Sequence, residues 1–465
     1  MLFSSISFLY IFLPVVLGCY FLAPKRWRNG VLLFFSLLFY FYGEPNYTLL
    51  LILSSLSDYL HSLYIEKHRG EKRAKVALVS AMTISLLMLC VFKYADFFIG
   101  VVNGLFHTNI PLPNLPLPIG ISFFTFQTMS YTADVYRGRV KAERNLLSMA
   151  TYVCLFPQLV AGPIVRYITV EEELRLRTIT VEMAASGARR FIVGLAKKVL
   201  LANTIGQLST ELLSGTGTSV LGVWAGTLTF MLQVYFDFSG YSDMAIGLGK
   251  LLGFTFPENF NYPFISKSVS EFWRRWHMTL GGWFRDYVYF PLGGNRVNKG
   301  RWIWNLFVVW ALTGLWHGAD WNYVLWGLYF ALLLPLEKML YGKSLEKTPA
   351  AIQHIVTMLL ITISFAIFNA DAAIGYVSVF KGMFGAGGFP LVAPETVYYL
   401  RSYLVLLLLG VVGSTPLVRN CANKLQEKYP RVAGVLEVVA CIGLLVLVTA
   451  YLVDGSFNPF LYFRF

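Results

Sequence analysis

One feature constrains this chain more than any other: runs of about 20 apolar residues recur along it, separated by short polar turns. A helix of that length rises ~30 Å, the thickness of a bilayer's hydrocarbon layer. Hydrophobic residues are 56% of the 465 and charged residues 14%, where a soluble domain carries about 25% charge. So much apolar surface has no soluble core to hide in. Soluble, disordered, collagen-like and disulfide-scaffold folds are excluded, and an all-α polytopic membrane protein remains. The opening run, through Ala23, has neither a basic n-region nor a small-x-small cleavage pattern. It therefore reads as a retained membrane helix.

Thirty-eight Lys and Arg against 25 Asp and Glu leave a net charge of +13. In a soluble protein that excess would point to nucleic acid; here its placement decides. Lys25, Arg26 and Arg28 follow the first apolar run, and Lys67, Arg69, Lys72, Arg73 and Lys75 follow the third. Arg137, Arg139, Lys141 and Arg144 follow the fifth. The intervening turns, 43–46 and 107–116, carry no Lys or Arg. This alternation is the positive-inside pattern, with the N-terminus outside and the basic loops in the cytoplasm. Nucleic acid is not an expected partner.

Between Arg166 and Gly217 the pattern blurs, and segments such as EEELRLRT and ARRFIVGLAKK read as interfacial or short amphipathic helices. A long apolar run covers Val220 to about Leu252. Residues 254–300 are too polar to span and too aromatic for a plain loop, which predicts re-entrant or interfacial structure buried against other helices. Further spans fall near 302–317, 321–340, 352–378, 397–413 and 433–453, for about eleven in all. The chain reads as a single integral-membrane domain over 1–465, with N-terminal helices 1–145, a core 146–340 and C-terminal helices 341–465. No internal repeat is visible, which speaks against an inverted-repeat transporter. Cys19, Cys90, Cys154, Cys421 and Cys441 are scattered, mostly in apolar runs, and read as packed thiols.

Ionisable groups at membrane depth are costly, so each is a candidate for function. Of six histidines, His61, His68 and His107 lie near predicted edges, and His354 has no polar company. His317 closes the run WIWNLFVVWALTGLWHGADWN, with Gly314, Thr313 and Trp310 three, four and seven places back. Gly314 admits another backbone or a thin ligand, and Thr313 offers a hydroxyl. The histidine is then either a reactive group facing a cavity or a core residue with one hydrogen bond. His277 lies in SVSEFWRRWHMTLGG, where Ser268-x-x-Glu271 has a capping-box pattern. The predicted helix carries Trp273, Trp276, His277 and Leu280 on one face, flanked by Arg274 and Arg275. That is either a site for an anionic ligand or an ordinary interfacial belt of Trp and Arg. Asp237 and Asp243 fall inside the Val220–Leu252 run, and each needs an Arg, a His or a proton there. Pro157, Gly162 and Pro163 break a helix, as a kink or as the wall of a site. No P-loop, His-Glu-x-x-His or Gly-x-Ser-x-Gly motif occurs.

Taken together these stretches resemble the membrane-bound O-acyltransferases, and within them the bacterial alginate O-acetyltransferase (AlgI-like) branch. The resemblance rests on FPQLVAGPIVRY (156–167), YFDFSGYSDMAIGLGKLLGF (235–254), PENFNYPFISKSVSEFWRRWHMTLGGWFRDYVYFPLGG (257–294), LTGLWHGADWNYVLWG (312–327) and NPFLYFRF (458–465). It implies a multi-helix fold around a central tunnel, and acyl transfer from a cytoplasmic thioester to an acceptor hydroxyl. In that branch the implied donor is acetyl-CoA and the final acceptor an exopolysaccharide. His317 matches the family's principal catalytic histidine, His277 its second signature position, and Asp237 and Asp243 its acidic positions.

Histidine suits the chemistry, because its pKa lies near physiological pH. On this reading His317 is the general base, with an acyl-histidine as the lesser option, and His277 orients or polarises the thioester. Arg274, Arg275 and Arg285 are candidate partners for the CoA phosphates, or anchors for lipid headgroups. No permanently bound cofactor and no metal is expected. The resemblance also implies a relay, in the bacterial cytoplasmic (inner) membrane, to a periplasmic or extracellular serine-hydrolase-like acetyltransferase partner. A transporter or flippase, and a scaffold subunit of a polysaccharide export complex, are the alternatives; neither requires thioester cleavage.

Overall fold

Helices make up every regular element among the described residues of this computed structural model, which are 2–214, 219–370, 376–386 and 388–455. In hydrocarbon a helix satisfies its backbone N–H and C=O groups within one segment, so this architecture is what the apolar runs demand. Among the described residues seven helices are long and apolar enough to cross a membrane: Thr48–Lys67, Lys72–Phe106, Val181–Ser214, Val220–Leu251, Trp321–Leu345, Ala350–Asn369 and Pro430–Val453. Pro394–Ser402 and Leu404–Gly413, bent by 61°, make an eighth if taken as one span. The protein is a multi-pass membrane protein. The count is below the eleven expected, partly because Phe8–Leu22 and the 16-residue Arg28–Gly43 are short. The terminal NPFLYFRF stretch lies outside the described residues.

The region 166–217 departs from expectation after its first piece, since Tyr167–Arg175 is the short helix that EEELRLRT suggested. Instead of separate interfacial pieces, Val181–Ser214 is one long apolar helix with a wider turn at Lys197–Ala202. Its charges made it look too polar to span, but Arg190 and Lys198 are each matched by an aspartate. Cys154 is buried as predicted, whereas Cys19, Cys90 and Cys421 are exposed, so packing accounts for only some of the thiols.

Two compact units divide the chain: Met1–Phe191 with Ser242–Pro257, and Ile192–Tyr241 with Glu258–Phe465. In the first, Phe3, Phe8, Phe12, Phe39 and Phe156 pack ring against ring. The predicted break is present there: the helix Leu146–Cys154 stops, Phe156–Leu159 makes a single turn, and buried non-helical chain follows to Val165. Protein groups satisfy part of the freed backbone. Ser36 Oγ accepts from the Phe156 N–H at 3.1 Å, and the Tyr152 hydroxyl donates to the Val165 carbonyl at 3.1 Å.

The second unit includes α1 (Val220–Leu251, as far as Tyr241), α2 (Val269–Arg275), α3 (Met278–Phe284), α4 (Lys299–His317), α5 (Trp321–Leu336) and α6 (Ala350–Asn369). Its core is aromatic, with Trp273 against Trp310, Trp326 and Phe330 at centroid distances of 4.7, 5.5 and 4.9 Å. The hairpin of α4 and α5 closes on two glycines. A Cβ on Gly314 would lie 2.4 Å from the Tyr323 carbonyl oxygen, and one on Gly327 would lie 2.5 Å from that of Trp310. Gly314 thus admits a backbone, one of the two readings its position allowed. Small residues at such crossings let membrane helices approach closely.

Candidate active site

The segment that carries His277 is held at its start by two carboxylates. Ser268 caps α2, accepting from the Glu271 N–H at 3.0 Å, and Glu271 in turn accepts from the Lys267 N–H at 2.9 Å. Burial works to raise the Glu271 pKa, but that N–H and the Arg275 guanidinium prevail and hold it below the usual carboxylate range. From the end of α5, the buried Glu337 accepts from the Val269 N–H at 2.6 Å, the Ser270 N–H at 3.0 Å and the Ser270 hydroxyl. Negative charge at a helix N-terminus complements its exposed N–H groups and its dipole.

The predicted single helix through His277 is not formed. α2 ends at Arg275, Trp276 is extended, and His277 adopts the left-handed conformation (φ 45°, ψ 52°) at the start of α3. A separate stretch of chain enforces the break: the Asn261 N–H donates to the Arg275 carbonyl, and the Met278 N–H to the Asn259 carbonyl, both at 2.9 Å. Left-handed geometry costs a non-glycine residue on the order of 1–3 kcal/mol and persists only where its surroundings over-determine it. Trp276, His277 and Leu280 are nonetheless all buried, as predicted from the wrong local geometry.

His277 is 2% exposed. Its Nδ1 lies 3.0 Å from Asn259 Oδ1, which also accepts from the Thr279 hydroxyl at 2.8 Å and the Thr279 N–H at 3.4 Å. The ring stands edge-on to Phe238 at 4.6 Å and near Trp316 at 5.8 Å. Burial, reinforced by the nearby His317, pushes the His277 pKa well below the ordinary histidine value. Burial therefore favours the neutral imidazole.

His317 is the last residue of α4, partly exposed, and boxed by the rings of Trp316, Trp326 and Phe368 at 5.0, 4.9 and 5.4 Å. It lines an apolar cavity of about 40 Å³ together with Phe238, Trp276, Trp326 and Phe368. A water-sized site needs about 10–15 Å³ on this measure, so the space matches a small acyl group. Trp316 packs against both histidines, and Phe238, part of the cavity wall, contacts the His277 ring. The Thr313 hydroxyl turns back to the Val309 carbonyl at 2.7 Å.

The carboxylates of α1 find basic partners: Asp237 pairs with Lys198 at 2.5 Å, both nearly fully buried, and Asp243 with Arg190 at 2.9 Å. Two of the three candidate arginines are engaged by their own chain. Arg275 pairs with Glu271 at 2.9 Å, and the Arg285 guanidinium is held by Asp286 at 2.8 Å. Arg274 is exposed on α2. His61 lies within hydrogen-bonding distance of the Ser57 carbonyl and Ser80, and His354 of the Ser266 carbonyl. Sequence reasoning passed over Asn259, Lys198 and Glu337. The two charges had a signal, an ion within an otherwise apolar stretch; Asn259 had none, since its partners lie 18 and 20 positions away.

A multi-pass helical protein with one half-buried histidine on the wall of a small apolar cavity, and a second, buried one against a ring of that wall, has the makings of a membrane acyltransferase. The family profile described as MBOAT, membrane-bound O-acyltransferase family, matches residues 37–368. This chain belongs to that family and is an acyltransferase. It is 38% identical to the "Probable alginate O-acetylase AlgI" of Pseudomonas aeruginosa, over 95% of this chain and 86% of the relative. It is 32% identical to the "Peptidoglycan O-acetyltransferase" of Helicobacter pylori, over 84% and 81% respectively. To the "Teichoic acid D-alanyltransferase" of Bacillus subtilis it is 29% identical, over 56% of this chain and 69% of the relative.

Proposed function

We propose that this protein is an O-acetyltransferase that takes acetyl groups from cytoplasmic acetyl-CoA and passes them across the membrane for O-acetylation of an extracytoplasmic polysaccharide such as alginate. The observation that carries this reading is His317 at the wall of an apolar cavity of about 40 Å³, large enough for a two-carbon acyl group and bounded by tryptophan and phenylalanine rings. The names of the Pseudomonas and Helicobacter relatives support acetyl as the group and a polymer such as alginate or peptidoglycan as the final acceptor. His317 takes the proton of the acceptor hydroxyl as its oxygen attacks the thioester carbonyl. Collapse of the tetrahedral adduct breaks the C–S bond, and the proton passes to the departing thiolate, which leaves as the free thiol. Asp237 and Asp243, through Lys198 and Arg190, hold α1 in place and are positioning residues. Arg274 is the remaining cation of the three for a CoA phosphate; Arg275 and Arg285 already serve Glu271 and Asp286.

The setting is the bacterial inner membrane, with the N-terminus outside, as the alternating basic loops support. The immediate acceptor is a hydroxyl on a periplasmic or extracellular serine-hydrolase-like partner, which then modifies the polymer. Purified protein with labelled acetyl-CoA, with and without a hydroxyl-bearing partner as acceptor, tests the core of this: His317→Ala should release free thiol at least 10²-fold more slowly, while folding and membrane insertion persist. Wild-type thiol release by His317→Ala sinks the assignment, and substrate movement without thiol release from the wild type points to a transporter.

A further inference from the structure

The hydrogen-bond set around Asn259 carries more than the placement of a loop. One amide atom of Asn259 faces three groups: the Thr279 N–H at 3.4 Å, the Thr279 hydroxyl at 2.8 Å and His277 Nδ1 at 3.0 Å. A backbone N–H only donates, so the atom facing it is the amide oxygen, which only accepts. His277 Nδ1 must then carry the proton in that contact. In a neutral imidazole the other nitrogen, Nε2, is consequently bare. That nitrogen is fully buried and has no hydrogen-bond partner among the described residues. An unpaired acceptor in an aromatic surround costs on the order of 1–3 kcal/mol, so such a group in a native fold calls for an explanation. The ring touches Phe238, a wall of the cavity that His317 lines.

We infer that Asn259 fixes the tautomer of His277, so that its Nε2 accepts the hydrogen bond of the entering hydroxyl as it docks, before that single proton turns to His317 for transfer, and does not act as a donor that polarises the thioester carbonyl. This rests on the acyl-transfer reading above and divides its labour: a bare Nε2 has no proton to offer a carbonyl oxygen, and what it holds must bring its own. The acceptor alcohol does; a thioester does not. Asn259 is on this account a positioning residue acting through His277.

The test is ¹⁵N NMR of the full-length protein in micelles, labelled at histidine, with the His277 resonances assigned by their loss in His277→Gln. The expected spectrum shows Nδ1 protonated and Nε2 unprotonated at pH 7. Asn259→Leu should lose that preference and Asn259→Asp, whose carboxylate keeps the acceptor, should restore it. An Nε2-protonated ring in the wild type, or an unchanged tautomer in Asn259→Leu, overturns the inference. Steady-state acetyl transfer then reads the role: Asn259→Leu should raise KM for the hydroxyl acceptor about tenfold or more and leave KM for acetyl-CoA near its wild-type value. The reverse split would assign His277 to the thioester. The spectrum does not depend on turnover, so a wrong functional reading and a wrong tautomer are told apart.

Discussion

Gly314→Ala sets two physical effects against each other at one atom. On helix propensity alone the alanine would stabilise α4 by about 1 kcal/mol. Its Cβ, however, would lie 2.4 Å from the Tyr323 carbonyl oxygen and 3.1 Å from the Gly327 Cα, where ordinary contact begins at 3.4 Å. Neither obstacle is a flexible side-chain end, so α4 and α5 must part by about 1 Å. Overpacking of this kind costs about 1–3 kcal/mol, which exceeds the propensity gain. His317 is the next residue but two, at the end of the same helix. On the proposed role of His317 as the base, a displacement approaching 1 Å there lowers turnover by on the order of 10². The expectation is a net destabilisation of about 1–2 kcal/mol by thermal unfolding in detergent, with a much larger fall in kcat for thiol release from acetyl-CoA. Gly327→Ala should behave alike, since its Cβ meets the Trp310 carbonyl at 2.5 Å. A variant that is more stable than wild type and turns over within twofold of it would refute the reasoning, because propensity would then outweigh the helix contact.

Two further substitutions probe the buried charges. Glu337→Ala strips three hydrogen bonds from the start of α2 and leaves the buried Val269 N–H unpaired, which should cost about 3–5 kcal/mol in unfolding experiments; Glu337→Gln should recover part of it. Lys198→Met should cost a similar ~3–5 kcal/mol by leaving Asp237 unpaired, and Lys198→Met with Asp237→Leu should be nearer wild type than either single change. Strictly additive losses in that cycle would show that the two side chains are not coupled.

Much of this protein is written in short-range pattern. A bilayer imposes a helix length and requires backbone groups to be satisfied within each segment, so apolar runs report the all-helical membrane class directly. The Ser268 cap and the placing of Gly314 one turn before His317 follow from helical spacing, and both are present in the structure. Where charges interrupt a run, local pattern misleads: in 181–214 the cations Lys198 and Arg190 are matched only by Asp237 and Asp243, which lie 39 and 53 positions further along the chain. The geometry of His277 was beyond local reading altogether. Helical spacing carried the helix through it, and a segment 16–18 residues earlier ended that helix by bonding to Arg275, Met278 and the imidazole itself. The sequence by itself determined the solvent, the helices and which histidines to watch, because those depend on apolarity and on neighbours three or four residues away. Only the tertiary structure decided which nitrogen of His277 is bare and what stands beside His317, because hydrogen-bond direction and cavity shape are set by residues that meet only after folding.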